Sequence, residues 1–148
     1  MRQGAGRMKR ANYMLLSEAK RLDGEIKRRT LHIEELETIL MPKAIRYDIE
    51  KVQHEPVDNL ADIVVEIAQI RTEIVDLQRK MIEATKKIRG MIETLENENQ
   101  KNVLTCRFIR CMTQEVTAQR IGYTKRHIQR IEAEGKAELD KRMRKKCR

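Results

Sequence analysis

A short basic segment in the last third of the chain carries the side chains with the most distinctive chemistry. Residues 124–131 read Thr-Lys-Arg-His-Ile-Gln-Arg-Ile. If this segment is helical, Ile128 and Ile131 face inward and the polar side chains turn outward. Arginine and lysine suit the acceptors of guanine, glutamine suits adenine, and all of them can bind phosphate. The candidate DNA-contacting residues are Thr124, Lys125, Arg126, His127, Gln129 and Arg130.

The residues before this segment can form the turn that would position it. Ala118, Gly122 and Ile128 are spaced four and six residues apart. A small side chain at Ala118 lets two helices joined by a short turn approach closely. Gly122 can adopt the left-handed conformation that ends a helix, and Thr124 can cap the next one. The pattern predicts a helix-turn-helix whose second helix places its first residues in the major groove.

The net charge of the chain is concentrated around this motif. Residues 101–148 hold fourteen Lys/Arg and five Asp/Glu, a net charge of +9, whereas residues 1–100 hold eighteen of each. Five of the basic residues lie near the C-terminus, where they could form a solubilising tail. The other nine, between Lys101 and Lys141, favour a nucleic-acid face on one module.

Between residues 95 and 135 the chain holds a distinctive set of residues, namely Leu104, Arg107, Phe108, Ile109, Thr113, Glu115, Ala118, Ile121, Gly122, Tyr123, Thr124, Arg126, Ile128 and Arg130. This set resembles the region-4-like helix-turn-helix of sigma factors. More narrowly, it resembles small phage and prophage proteins of Gram-positive bacteria, including the RinA- and ArpU-like regulators of late phage transcription. A long heptad helix precedes the motif in that group, and the resemblance extends to about residues 45–140. Val116 and Thr117 depart from the family's Glu then Ile, and Thr117 is expected to bond back to a carbonyl of its own helix. The resemblance implies DNA-binding transcriptional control.

Two stretches with heptad spacing precede the motif and predict long helices. The first seam consists of Leu15, Ala19, Leu22, Ile26, Arg29, Ile33, Leu36 and Leu40. The second consists of Leu60, Ile63, Ile67, Ile70, Ile74, Leu77, Met81, Ala84, Ile88, Met91 and Leu95. The connector 41–59 holds both prolines, and within it Tyr47, Ile49 and Val52 could form a short helical piece. The first helix could fold back on the second, or another copy of the chain could cover it, and we expect self-association in addition.

The predicted fold class is all-α, with a long coiled-coil helical stem followed by a C-terminal helix-turn-helix domain. Residues 1–11 are expected to form a flexible basic arm, residues 12–96 an oligomerisation stem, and residues 97–148 the DNA-binding domain with a basic tail. The polar run 96–100 would bend or end the stem. A short helix would follow from about Lys101 to Arg110, with Phe108 anchoring a small C-terminal core.

Other classes of function find little support in the sequence. No run of about 18 apolar residues suggests a membrane span, and no signal-type apolar segment follows the basic start, so we expect a cytoplasmic protein. The resemblance implies that this cytoplasm is that of a bacterial host cell. Cys106 and Cys111 lie five residues apart, which is not a zinc-ligand spacing, so neither a metal nor another cofactor is expected. There is no phosphate loop and no nucleophile motif, which predicts that the chain is not an enzyme.

The leading hypothesis is a sequence-specific double-stranded DNA-binding transcriptional regulator, an activator of phage or prophage late genes. Its expected partners are double-stranded DNA, further copies of the chain through the stem, and RNA polymerase as an additional candidate. One alternative is a small-terminase-like DNA-packaging recognition subunit, which would form a large ring. Another is a coiled-coil adaptor whose basic end binds acidic protein. Mass in solution and the salt dependence of DNA binding discriminate among these hypotheses.

Overall fold

The computed structural model describes residues 8–41 and 57–146, which are almost entirely helical. The helices are α1 (Arg10–Leu40), α2 (Val57–Glu93), α3 (Glu98–Leu104), α4 (Gln114–Ile121) and α5 (Lys125–Lys146). Helix α3 continues into a π-helical turn, Thr105–Ile109. Since no strand occurs in the described ranges, the all-α prediction is confirmed. Within the same ranges no helix combines the length and apolar character needed to cross a membrane.

Several sequence-based boundaries shift by a few residues. Helix α1 begins at Arg10, inside the predicted basic arm, and α3 begins at Glu98, three residues before the predicted start. The Asn97 side chain caps α3 by accepting hydrogen bonds from the backbone N–H groups of Asn99 and Gln100. The predicted helical piece around Tyr47, Ile49 and Val52 lies outside the described residues, as does most of the arm.

The described residues form two compact units. Residues 24–41 and 57–79 make up the two-helix unit, and residues 8–23 and 80–146 make up the five-helix unit.

The core of the two-helix unit comes from both predicted seams of the same chain. Ile33 and Leu36 of α1 pack with Ile67 and Ile70 of α2, and each side chain keeps 6–8% of its surface exposed. Exposed ion pairs flank this core, with Arg29 Nε 2.9 Å from a Glu73 carboxylate oxygen. Exposed pairs of this kind contribute at most about 1 kcal/mol each, so apolar packing holds the two helices together.

The five-helix unit has a deeper core that combines residues from the start, middle and end of the chain. Its buried members, each at most 2% exposed, are Leu16, Ala19, Ile88, Ile92, Leu95, Leu104, Phe108 and Leu139. Phe108 therefore packs with residues of α1 and α2, whereas the sequence suggested that it anchors a small separate core. Hydrophobic packing also continues across the predicted boundary between residues 96 and 97, because Leu95 and Leu104 share this core.

The two heptad seams agree with the observed burial at all but a few positions. Every predicted seam residue from Leu60 to Leu95 is buried or half-buried. The prediction is wrong at Leu15, which is 50% exposed, because the neighbouring Leu16 points into the core. It also missed Ile92, which is fully buried beside the half-buried Met91. A helix that packs against several neighbours needs a wider apolar face than the narrow seam of a two-stranded coiled coil.

Candidate nucleic-acid interface

Helix α4 is held at its start by two threonines. The Thr113 hydroxyl accepts a hydrogen bond from the backbone N–H of Val116, at 3.2 Å, as expected of an N-cap. Thr117 is fully buried, and its hydroxyl donates to the Thr113 carbonyl at 2.8 Å. The predicted back-bond of Thr117 is thus confirmed, and it explains how a hydroxyl can occupy a buried position.

The turn between α4 and α5 has the geometry predicted from Gly122. This residue adopts the left-handed conformation, with φ of 85° and ψ of 29°. The N–H groups of Gly122 and Tyr123 both donate to the Ala118 carbonyl, at 2.9 and 3.0 Å, and close the end of α4. The Thr124 hydroxyl then accepts from the backbone N–H of His127 at 3.2 Å, which caps α5.

A small apolar cluster fixes the two helices against α3. Ile128 and Ile131 of α5 pack with Ala118 of α4 and Val103 of α3, and Ile121 covers the edge. Ile128 is completely buried. The small Ala118 side chain belongs to this contact, as expected for two helices that approach closely. The positions predicted to form the inside of the motif are therefore inside.

The opposite side of α5 presents the predicted contact residues. Thr124, Lys125, Arg126, Gln129 and Arg130 are exposed, and only His127 is half-buried.

His127 is held between two of its neighbours. Its ring packs edge-to-face on Tyr123, with 4.7 Å between centroids, and its Nδ1 lies 2.9 Å from Arg130 Nη2. Because a guanidinium can only donate, Nδ1 is the acceptor in this contact. His127 thus positions Arg130 and leaves less of its own ring available to a partner molecule.

Lys125 and Arg126 differ in whether another side chain of the protein pairs with their charge. Lys125 Nζ lies 2.5 Å from Glu115 Oε1 of α4. The hydrogen bond from Lys125 lowers the pKa of Glu115, assisted by the backbone N–H of Glu115 itself. The Arg126 side chain makes no hydrogen bond or ion pair with any residue that the structure describes. The Arg126 guanidinium is therefore the more available cation for an external anion.

A hydrogen-bonded chain connects the exposed face to a buried ion pair. Glu132 is 5% exposed, and its Oε1 lies 2.6 Å from Arg107 Nε. Gln114 Nε2 donates to Glu132 Oε2 at 3.1 Å, and Gln129 Nε2 donates to Gln114 Oε1 at 3.0 Å. Arg107 also donates to the Met112 carbonyl at 2.5 Å. These bonds link the π-helical turn, the start of α4 and the outward face of α5.

The Glu132 carboxyl is ionised in this network. Burial raises its pKa, but the hydrogen bond from Arg107, the charges of Lys136 and Arg107 and the hydrogen bond from Gln114 outweigh burial and lower it. A buried carboxylate must be paired in this way to avoid a large desolvation penalty.

No protein-family model matches the chain, and neither a curated protein nor a solved structure matches it.

Sequence reasoning overlooked Glu132 and Gln114. A signal for Glu132 is present, because it lies on the inward stripe of α5 that also holds Ile128, Gly135 and Leu139. A carboxylate on an apolar stripe predicts a buried partner. The signal does not say which basic residue that partner is. Gln114 carries no such signal, since a glutamine at the start of a helix is ordinary.

A second group of cations lies around the Phe108 ring rather than on the α5 face. Lys20 Nζ is 4.4 Å and Lys136 Nζ is 5.2 Å from the ring centroid, distances that allow cation–π attraction. Burial lowers the pKa of Lys20, and the nearby charge of Arg107 adds to this. Among the described residues no group of three or more His, Cys, Asp or Glu side chains is arranged to hold a metal ion.

Proposed function

We propose that this chain is a sequence-specific double-stranded DNA-binding regulator of transcription. In this proposal α4 and α5 form a helix-turn-helix, and α5 is the recognition helix. The observation that carries the proposal is the two-sided character of α5. Ile128 and Ile131 are buried against α3 and α4, while Lys125, Arg126 and Gln129 are exposed beside the capped start of the helix. A recognition helix needs this arrangement to bring its first turns to base edges.

The distribution of charge supports the same proposal. Residues 101–148 carry a net charge of +9, and the first hundred residues are neutral. The two buried carboxylates of this region are already matched by basic side chains, Glu132 by Arg107 and Lys136 and Asp140 by Arg144. The net charge of the exposed side chains on α5 is therefore positive, as phosphate contacts require.

We also propose that the two-helix unit carries self-association. Its four core residues all remain slightly exposed, so two helices alone do not enclose them. Further apolar side chains of this unit lie on its surface, namely Leu31, Ile39, Val64, Val65 and Val75. A second copy of the chain would bury these side chains, as in a helical bundle.

The resemblance to phage and prophage regulators supports three further parts of the proposal: activation of late genes, RNA polymerase as an additional candidate partner and a bacterial host. Two others, a cytoplasmic location and a binding rather than catalytic role, rest on the sequence patterns instead.

Alanine substitution on α5 tests the proposal. DNA sites are first selected from random duplexes, and Lys125, Arg126, Gln129 and Arg130 are then replaced one at a time. Loss of a base-reading side chain should cost about 1–3 kcal/mol on the selected site and less on random DNA. Loss of a phosphate contact should weaken both and reduce the salt slope by about 0.9. Arg89→Ala, which removes an exposed charge from α2, is the matched control.

The proposal fails if all four variants bind both duplexes as the parent does. In that case the basic C-terminal tail becomes the better candidate. Binding to acidic protein without binding to DNA would instead favour the adaptor function.

A further inference from the structure

Gln129 is the one amide side chain among the predicted contact residues, and it is held in place. Its Nε2 lies 3.0 Å from Gln114 Oε1, and Gln114 Nε2 lies 3.1 Å from Glu132 Oε2. Glu132 in turn is fixed by Arg107 in the protein interior. An exposed glutamine would otherwise sample many rotamers, so this chain of bonds restricts the direction in which Gln129 presents its amide.

The buried carboxylate sets the direction of every bond in the chain. An ionised carboxylate has only acceptor oxygens, so Gln114 must turn its NH₂ group toward Glu132. The Gln114 carbonyl oxygen is then left facing Gln129, which must donate through its own NH₂ group. The positions of oxygen and nitrogen in both amides therefore follow from the charge on Glu132.

We propose that Arg107, Glu132 and Gln114 form a relay that makes Gln129 select adenine in the major groove. The inference rests on the proposed function. One N–H of Gln129 is engaged by Gln114, which leaves one N–H and the carbonyl oxygen for DNA. Adenine offers a matching pair, the N7 acceptor and the N6 donor.

The relay also weakens binding to guanine at the position that Gln129 reads. Guanine presents two acceptors, N7 and O6, in the major groove. A free glutamine can turn both of its N–H groups toward such acceptors, whereas Gln129 in the relay has only one to offer. Its carbonyl oxygen would then face O6, and two acceptors cannot bond to each other. In this scheme Gln114 is a positioning residue that determines specificity without touching DNA.

The experiment measures affinity for the selected duplex and for its single-base-pair replacements. Gln129→Ala identifies the position that this residue reads. Gln114→Ala should then lower the preference for A·T over G·C at that position by at least about 5-fold, the lower end for a bidentate contact. Affinity for random duplex should be unchanged, because that affinity depends on charge and Gln114 has none.

Two further variants separate the relay from a general loss of structure. Gln119→Ala changes an exposed glutamine on the same helix whose side chain bonds to no described residue, and it should keep the parent's preference. Gln114→Met removes the relay bonds but keeps the bulk of the side chain, and it should match Gln114→Ala. The double variant Gln114→Ala/Gln129→Ala should lose no more preference than Gln129→Ala alone, since both act on one contact.

The outcomes distinguish this inference from the proposed function. A parent protein that shows no sequence preference on any duplex overturns both. If the parent prefers a site and Gln129→Ala weakens that preference, but the Gln114 variants do not, DNA recognition stands and the relay is wrong. A preferred base other than adenine at the position read by Gln129 also overturns the relay and leaves the proposed function intact.

Discussion

Replacing Glu132 by glutamine removes one charge from the buried ion pair while keeping the shape of the side chain. The Arg107 side chain, which is only 17% exposed, would then lack its carboxylate partner. Removing one partner of a buried pair costs about 3–5 kcal/mol. We expect the lower end, about 3 kcal/mol, because Arg107 keeps its hydrogen bond to the Met112 carbonyl. For a chain of this size the melting temperature should fall by roughly 6–12 °C.

The same substitution has a predictable pH dependence. The pKa of Glu132 in the folded protein lies below its usual value of 4.5, because burial, which raises the pKa, is outweighed by Arg107, Lys136 and Gln114. A carboxyl with a lowered folded-state pKa stabilises the fold above its unfolded-state pKa, and this contribution disappears as pH falls through the folded-state value. The difference in stability between parent and Glu132→Gln should therefore be full at neutral pH and shrink below about pH 4.5.

Thermal unfolding followed by far-UV circular dichroism, at neutral and at acid pH, measures both effects. Glu134→Gln, two residues along the same helix and exposed, is the control and should melt like the parent. Equal melting of parent and Glu132→Gln at neutral pH would refute the role of the ion pair. A deficit that persists unchanged in acid would show that the charge of Glu132 is not its cause.

Other substitutions test the turn between α4 and α5, the packing of α5 and the two-helix unit. Gly122→Val should cost roughly 1–2 kcal/mol of unfolding free energy in urea, because the left-handed conformation strains a side chain, whereas Gly122→Asn should cost less. Gly135→Ala should lower the melting temperature, since its new methyl group would lie 3.1 Å from a leucine methyl of α3. A methyl group added at Gly90 would meet no atom within 4 Å, so Gly90→Ala should raise the free energy of unfolding by up to about 1 kcal/mol. Equal changes in stability for the two substitutions would contradict the packing described around Gly135. Ile70→Asp combined with Ile74→Asp should reduce helicity and the mass seen in sedimentation, because it puts unpaired carboxylates into the core of the two-helix unit. A variant that sediments with the mass of the parent would refute self-association through the two-helix unit.

The sequence predicted the features that depend on local chemistry. The long helices follow from apolar periodicity, which a short stretch of chain contains in full. The caps at Thr113 and Thr124 and the left-handed Gly122 follow from hydrogen bonds between residues at most five apart. Local patterns therefore located the inside and the outside of α5 correctly.

The features that depend on distant residues were not predictable in the same way. Arg107 and Glu132 are separated by 25 residues, and nothing in either segment names the other as its partner. Phe108 contributes to a core shared with α1 and α2, although its sequence neighbours suggested a local one. Whether Leu15 or Leu16 is buried in the core likewise depends on how many helices pack around α1 at that point.

Asp140 has a consequence for the order in which the chain can fold as it is synthesised. Its Oδ1 accepts hydrogen bonds from the Lys9 backbone N–H at 3.2 Å and from Asn12 Nδ2 at 2.7 Å, across 131 and 128 residues. Leu16 and Leu139 meet in the same core. These contacts cannot form until residue 140 has left the ribosome, whereas the two-helix unit is complete once residue 79 has emerged. Helix α1 must therefore remain partly uncovered until α5 has emerged, so growing chains are exposed to aggregation and proteolysis in that interval.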